Sequence, residues 1–138
     1  AKRKDNILAE EKFLAVIQYN PKQLPARTEL GRLLSKQKGR EGEAEKFLLQ
    51  AIEIAPKDIQ SRTELGRLLS KQKGREGEAE KFLLEAIEIY PEHLHSRTVL
   101  ARLYEKMNRL PEAKRLYQEL CNIDPGNRFG VEGLSRLK

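Results

Sequence analysis

The stretch RTELGRLLSKQKGREGEAEKFLLQAIEI, residues 27–54, returns as residues 62–89 with one change, Gln50 becoming Glu85. Twenty-seven of 28 letters therefore repeat at a spacing of 35 residues. A fixed period of roughly 20–50 residues marks stacked supersecondary units, each unable to bury its own apolar face alone. In the second copy Leu65, Leu68 and Leu69 stand at i, i+3 and i+4, the stripe of an amphipathic helix. A second helical stripe runs Ala79, Phe82, Leu83, Ala86, Ile87, Tyr90. Gly74 breaks the first helix, and Glu76, Glu78 and Glu80 crowd the start of the next, where negative charge complements the helix dipole. Pro91 closes the unit, because proline cannot continue a helix interior. Each copy predicts a helical hairpin, and no segment reads as a strand.

The plan extends in both directions. Residues 96–127, SRTVLARLYEKMNRLPEAKRLYQELCNIDPGN, form a diverged third unit with Leu100, Leu103 and Tyr104 inward from its first helix. Ala113, Leu116, Tyr117 and Leu120 do the same from its second. Upstream, LAEEKFLAVIQYNP aligns with the second helix of a unit whose first helix is missing, and Pro21, Pro56 and Pro91 keep the 35-residue spacing. Downstream, RFGVEGLSRLK offers Phe129, Leu134 and Leu137 as the apolar side of a closing helix. The expected organisation is a half-repeat over 5–22, repeats over 24–58, 59–93 and 94–127, and a closing helix over 128–138, eight helices in all.

Bulk composition agrees with an elongated, surface-rich chain. Of 138 residues only 38% are hydrophobic while 35% are charged, and the net charge is +6. Regular apolar spacing argues against disorder. The positive charge leaves nucleic acid and acidic peptide open as partners. A single cysteine, Cys121, excludes an internal disulfide framework and fits a reducing compartment. No apolar run approaches the roughly 18 residues of a membrane span, so the expectation is a soluble, cytoplasmic protein with no membrane partner.

The third unit resembles a tetratricopeptide repeat, with Leu100–Ala101, Tyr104, Ala113, Tyr117 and Pro125 at that family's hallmark spacings. The earlier copies show Leu30–Gly31 and Leu65–Gly66, then Ala44 and Ala79, Ala51 and Ala86, Pro56 and Pro91. The resemblance implies an all-α, right-handed α-solenoid of stacked antiparallel helical hairpins. Two departures stand out. Copies one and two carry one extra residue in the hairpin turn, giving 35 where the family has 34. The bulky aromatic usual early in the first helix is replaced by Arg27, Arg62 and Arg97, whose stems can cover apolar surface while the guanidinium reaches water or a carboxylate.

Packing does not require near-identity of the copies, because cores and surfaces tolerate many substitutions. The repetition records either very recent duplication or deliberate construction. Identical units also invite register errors and end-to-end stacking.

Opposite the leucine stripe, the first helices present Thr28, Arg32, Ser35 and Lys36, then Thr63, Arg67, Ser70 and Lys71, then Thr98, Arg102, Glu105 and Lys106. By the resemblance this face lines the concave groove in which such repeats receive peptides. Arg32, Arg67 and Arg102 would form a ladder of forks suited to carboxylates. The second helices are acidic by contrast. The competing reading of these cations is a solvated face paired to nearby glutamates. Some family members grip a terminal carboxylate with lysine and asparagine; Thr28, Arg32 and Glu64 occupy those positions here, with no asparagine. Single-stranded RNA is a weaker alternative, since the groove offers no aromatic ladder.

No enzyme, cofactor or metal is expected. His93 and His95 sit at a unit junction without a cysteine or carboxylate partner nearby, GREG at Gly39 and Gly74 has no preceding strand, and Cys121 reads as a small apolar residue. The expected function is a non-catalytic protein-interaction scaffold with an acidic segment as ligand. The alternative is a duplicated or engineered scaffold with no natural ligand. Self-association is expected through Phe13, Leu14 and Ile17 of the opening helix and Phe129 and Leu134 of the closing one, giving a homo-oligomer.

Overall fold

The computed structural model describes residues 2–20 and 24–138, with side chains from residue 4 onward. Pro21, first of the three regularly spaced prolines, and the last residues of the expected half-repeat lie outside the described residues. The chain is an all-α helical-repeat solenoid. Among the described residues there are eight helices and no strand: α1 (Lys2–Tyr19), α2 (Leu24–Ser35), α3 (Glu41–Ile54), α4 (Ile59–Ser70), α5 (Glu76–Ile89), α6 (Leu94–Lys106), α7 (Leu110–Ile123) and α8 (Arg128–Arg136).

Turn chemistry sets the helix ends. Gly39 and Gly74 adopt φ of 88° and 91°, the left-handed region open to glycine, and Asn108 takes the same role in the third hairpin at φ 59°. Each glycine N–H donates to the glutamate two residues on, Glu41 at 3.2 Å and Glu76 at 2.9 Å. The junctions between units are capped by acceptors at the matching position. Asp58 accepts from Ser61 N–H at 3.0 Å, His93 Nδ1 from Ser96 N–H at 3.3 Å, and Asn127 from Gly130 N–H at 2.9 Å.

Packing runs in a line. α2 lies on α3, α4 on α5 and α6 on α7, and each second helix then touches the first helix of the following unit. First helices α2, α4 and α6 also touch one another, whereas second helices make no comparable contact among the described residues. The first helices therefore form the tighter, inner side of the stack. Leu30, Leu34, Leu65, Leu69 and Leu100 from the inner row, and Leu48, Leu83, Tyr117 and Leu120 from the outer row, are buried in one continuous core. The leucine stripe at 65, 68 and 69 is buried as expected. Tyr90, placed in the second stripe by its spacing, is instead exposed, because it caps α5 outside the hairpin contact.

Close approach within each hairpin depends on missing side-chain atoms. A Cβ on Gly66 would stand 2.6 Å from Leu83 Cγ, and one on Gly31 would stand 2.5 Å from Leu48 Cγ. At the far end Gly133 meets the ring of Tyr117 at 2.5 Å by the same measure, so α8 lays backbone on the ring face.

Two outcomes check this description. Gly66→Ala is expected to destabilise by about 1–3 kcal/mol through overpacking, and to become neutral or stabilising in a Leu83→Ala background, where the better helix propensity of alanine is no longer opposed; chemical denaturation of the four variants measures this. Burial lowers the pKa of His93. The unfolded imidazole therefore takes up protons first, so its share of stability is complete above about pH 6.5 and is lost as pH falls below it. Protonation also removes the acceptor that caps α6. His93→Asn keeps the cap without the titration, so thermal melts should show a flatter acid limb, with a gain over the parent of about 1 kcal/mol at low pH.

Candidate functional site

The inner wall gathers its cations at helix C-termini, where free carbonyls favour positive charge. Arg67 lies in the last turn of α4 with Lys71 as its C-cap, and Lys106 ends α6. One depression on this wall is lined by Arg67, Lys71, Arg102 and Lys106, with Ser70 at its rim and Val99 and Leu103 beneath. It holds four cations and no carboxylate. Arg67 meets Nε2 of His95. The imidazole is held down to about pKa 4 by burial, then by the charges of Arg67, His93 and Arg102, so at neutral pH it is uncharged and accepts. The Arg102 guanidinium rests 4.8 Å above the Phe129 ring, and Lys106 Nζ donates to the Ser70 carbonyl at 2.6 Å.

The first rung differs. Arg32 pairs with Glu29 one turn back on its own helix, and Arg32 and Lys36 line a separate hollow against Phe13 of α1. The Glu29 hydrogen bond raises the Arg32 pKa, and the charge of Glu64 in the next unit adds to it. Glu29, Glu64 and Val99 occupy one position in the three units. The hollow between units two and three is lined by no carboxylate, while on its other side Arg102 shares a hollow with Glu105 and Glu132.

Most of the other expected groove side chains are engaged with helix backbone or with α8. Thr28, Thr63 and Thr98 are buried, and their hydroxyls donate to the carbonyls of Leu24, Ile59 and Leu94 at 3.3, 2.8 and 3.0 Å. The reason is that a first helix is packed by its own partner and also by the preceding unit, so each hydroxyl turns to its own helix backbone, although Thr28 still borders a small hollow between the N-terminal ends of α2 and α4. Ser35 and Ser70 turn back to the carbonyls of Arg32 and Arg67, at 2.7 and 2.6 Å. Glu105 is held below the usual carboxylate range, first by Arg136 and then by the Tyr117 hydroxyl, which ties it to α8.

The terminal surfaces are also less bare than their spacing implied. Phe13 and Ile17 pack against the core under α2, and Leu134 does so at the other end. Leu14 and Phe129 remain 41% and 42% exposed.

One charged constellation is not anticipated by the helix-by-helix pattern. Arg40 grips Glu10 at 2.5 and 2.6 Å together with Glu43 at 2.7 Å. Arg75 repeats this with Glu45 at 2.6 and 2.8 Å and Glu78 at 2.7 Å. Arg109 holds Glu80 at 3.1 and 3.0 Å and Glu112 at 2.8 Å. Each arginine thus joins the second helices of adjacent units. The signal is present in the period, with Glu10, Glu45 and Glu80 spaced by 35 and their arginines by 35 and 34. The glutamates expected as dipole partners are in part unit-to-unit clasps.

The arginines that replace an aromatic also form a series. Arg27 Nε donates to Gln50 at 3.2 Å and Arg97 Nε to Glu119 at 3.0 Å. In the middle unit Arg62 Nε and Glu85 Oε1 are buried without hydrogen-bond partners among the described residues, although the Arg62 guanidinium reaches the Pro56 carbonyl. The one letter that separates the copies falls at this site. Among the described residues no group of three or more His, Cys, Asp or Glu could hold a metal ion, and no helix is long and apolar enough to cross a membrane.

Comparison with known proteins places this architecture. A tetratricopeptide-repeat family model matches residues 24–58, and a second matches 71–129. Among solved structures, the thermophilic protein TTC0263 of Thermus thermophilus superposes with a TM-score of 0.84 at 22% identity, covering 99% of this chain and 75% of that one. MamA superposes at 0.82 with 17% identity, over 99% of this chain and 78% of its own. The first repeat domain of Spaghetti (RPAP3), solved with the HSP90 peptide SRMEEVD, gives 0.75 at 17% identity, over 83% and 90%. No curated protein sequence matches the chain. With repeat models over 24–58 and 71–129 and a helix stack shared with solved tetratricopeptide-repeat proteins, the chain belongs to the tetratricopeptide-repeat family.

Proposed function

We propose that the chain is a non-catalytic protein-interaction scaffold whose inner wall, between α4 and α6, receives an acidic, carboxylate-bearing peptide segment. The observation that carries this reading is the depression of four cations without a carboxylate over an apolar floor of Val99 and Leu103. Arginine forks match carboxylates, and the floor accepts the aliphatic part of a bound side chain. The peptide held by the RPAP3 domain, SRMEEVD, is itself acidic. This chain lacks the lysine and asparagine arrangement that some relatives use for a terminal carboxylate, so side-chain carboxylates along the segment are the proposed ligand groups.

The first rung supplies an internal control. Arg32 already has Glu29, whereas no carboxylate lines the depression around Arg67 and Arg102. In anisotropy titrations with a labelled Glu/Asp-rich peptide, Arg102→Glu and Arg67→Glu should each weaken binding by about tenfold or more, equivalent to about 1.4 kcal/mol, and Arg32→Glu by much less. Raising salt from about 0.1 M to about 1 M shortens the screening length from about 10 Å to about 3 Å and should also weaken binding. Binding that is absent, or indifferent to salt and to all three reversals, contradicts the proposal.

A further inference from the structure

The two ends of the stack expose positions that every internal unit buries. Among the described residues α1 has no first helix of its own and α8 no second. Val16 stands six residues after Glu10, as Ala51 and Ala86 stand six after Glu45 and Glu80. Ala51 and Ala86 are fully buried, whereas Val16 is 40% exposed. Phe13, at the position where Leu48 and Leu83 meet Gly31 and Gly66, is only half-buried. Leu14 carries no such signal, because Leu49 and Leu84 at its position are equally exposed inside the stack. On α8 the caps fix the register: Val131 comes four residues after Asn127, as Arg62 and Arg97 come four after Asp58 and His93. Val131 is 51% exposed. In internal hairpins this position pairs a first-helix arginine with a second-helix polar group, Arg27 with Gln50 and Arg97 with Glu119. At the ends both members are apolar, Val131 on α8 and Ala15 on α1.

The clasp series changes sign at the same place. Arg40 with Glu10, Arg75 with Glu45 and Arg109 with Glu80 join successive outer helices. One period before Arg40 the arginine position holds Asp5, and one period after Glu80 the glutamate position holds Lys114, which follows Ala113 as Glu80 follows Ala79. Both side chains are exposed. We infer that a second copy of this chain adds head to tail, α8 of one copy and α1 of the next packing as the first and second helices of a hairpin formed between copies. Charge complementarity carries the choice of partner: the internal clasps set arginine against glutamate, and the ends set aspartate against lysine, so the ionic link survives with its signs exchanged. Val131 opposite Ala15 matches in the same register. Terminal repeats that stay apart present polar outer faces, and these two ends present valine. Because the two ends differ, the contact is heterologous and propagates copy to copy without closing as a two-fold dimer. It uses neither Arg67 nor Lys71, so it stands apart from the groove reading.

Sedimentation velocity over a concentration series tests this on the whole chain. The expected result is mass that grows beyond a dimer as concentration rises. Val16→Glu and Val131→Glu each bury a charge in the contact and should raise the dissociation constant about tenfold or more. Both sites are half-exposed in the single chain, so thermal melts of these variants at low concentration should match the parent. Leu14→Glu should assemble as the parent does. Asp5→Lys and Lys114→Asp should each weaken assembly, and the two together should restore it, a coupling shown by groups in contact. A monomer at every concentration, growth that stops at a dimer, or assembly indifferent to Val16→Glu and Val131→Glu overturns the inference, as does a combined charge exchange no better than its single variants.

Discussion

The constraint on which the structure depends is that no helix pair here can hide its own apolar surface. Leu65, Leu69 and Leu83 are fully buried only because α3 and α6 close the hairpin from either side. That closure requires backbones to come close, and Gly31 and Gly66 allow it by giving up a Cβ where Leu48 and Leu83 sit. A row of inner helices and a row of outer helices follow, and with them an inner wall. The groove is a by-product of stacking before it is a binding surface.

Charge is sorted onto that frame by position. Outer-helix glutamates near the hairpin turns are taken up by Arg40, Arg75 and Arg109, which hold neighbouring units in register. Of the other outer carboxylates, Glu119 pairs with Arg97 and Glu85 is partly buried, whereas Glu53 and Glu88 stay in solvent. On the inner wall the cations of α4 and α6 line a hollow without a carboxylate, and Val99 stands there at the position where the other units have a glutamate.

Much of the fold is legible in the sequence, because two periods are superimposed. The 3.6-residue period marks the helices and the 35-residue period marks their stacking, and both are expressed in the burial of Leu65, Leu68, Leu69 and Leu83. The site is legible only in part. A single apolar stripe describes a helix packed on one side, but α4 is contacted from α2, α3, α5 and α6, so Ser61, Arg62, Thr63 and Glu64 are buried as well. Thr63 and its equivalents therefore read as groove residues in the sequence, yet they are buried with their hydroxyls bonded to their own helices. Phe13 and Ile17 look bare for the related reason that the cover α2 gives to α1 is a tertiary contact. The clasp arginines are visible as a periodic pattern, yet their partners lie about thirty residues away, beyond the reach of a local helix-charge argument.

The most direct measurement is a residue-resolved one. Titrating an acidic peptide into isotopically labelled protein and following backbone amide resonances locates the ligand without prior choice of variants. The largest shifts are expected on Ser70, Lys71, Val99, Leu103 and Lys106, with α1 and the outer helices little changed. Shifts centred on α1, on α8 or on the outer faces of α3 and α5 would contradict the proposed groove.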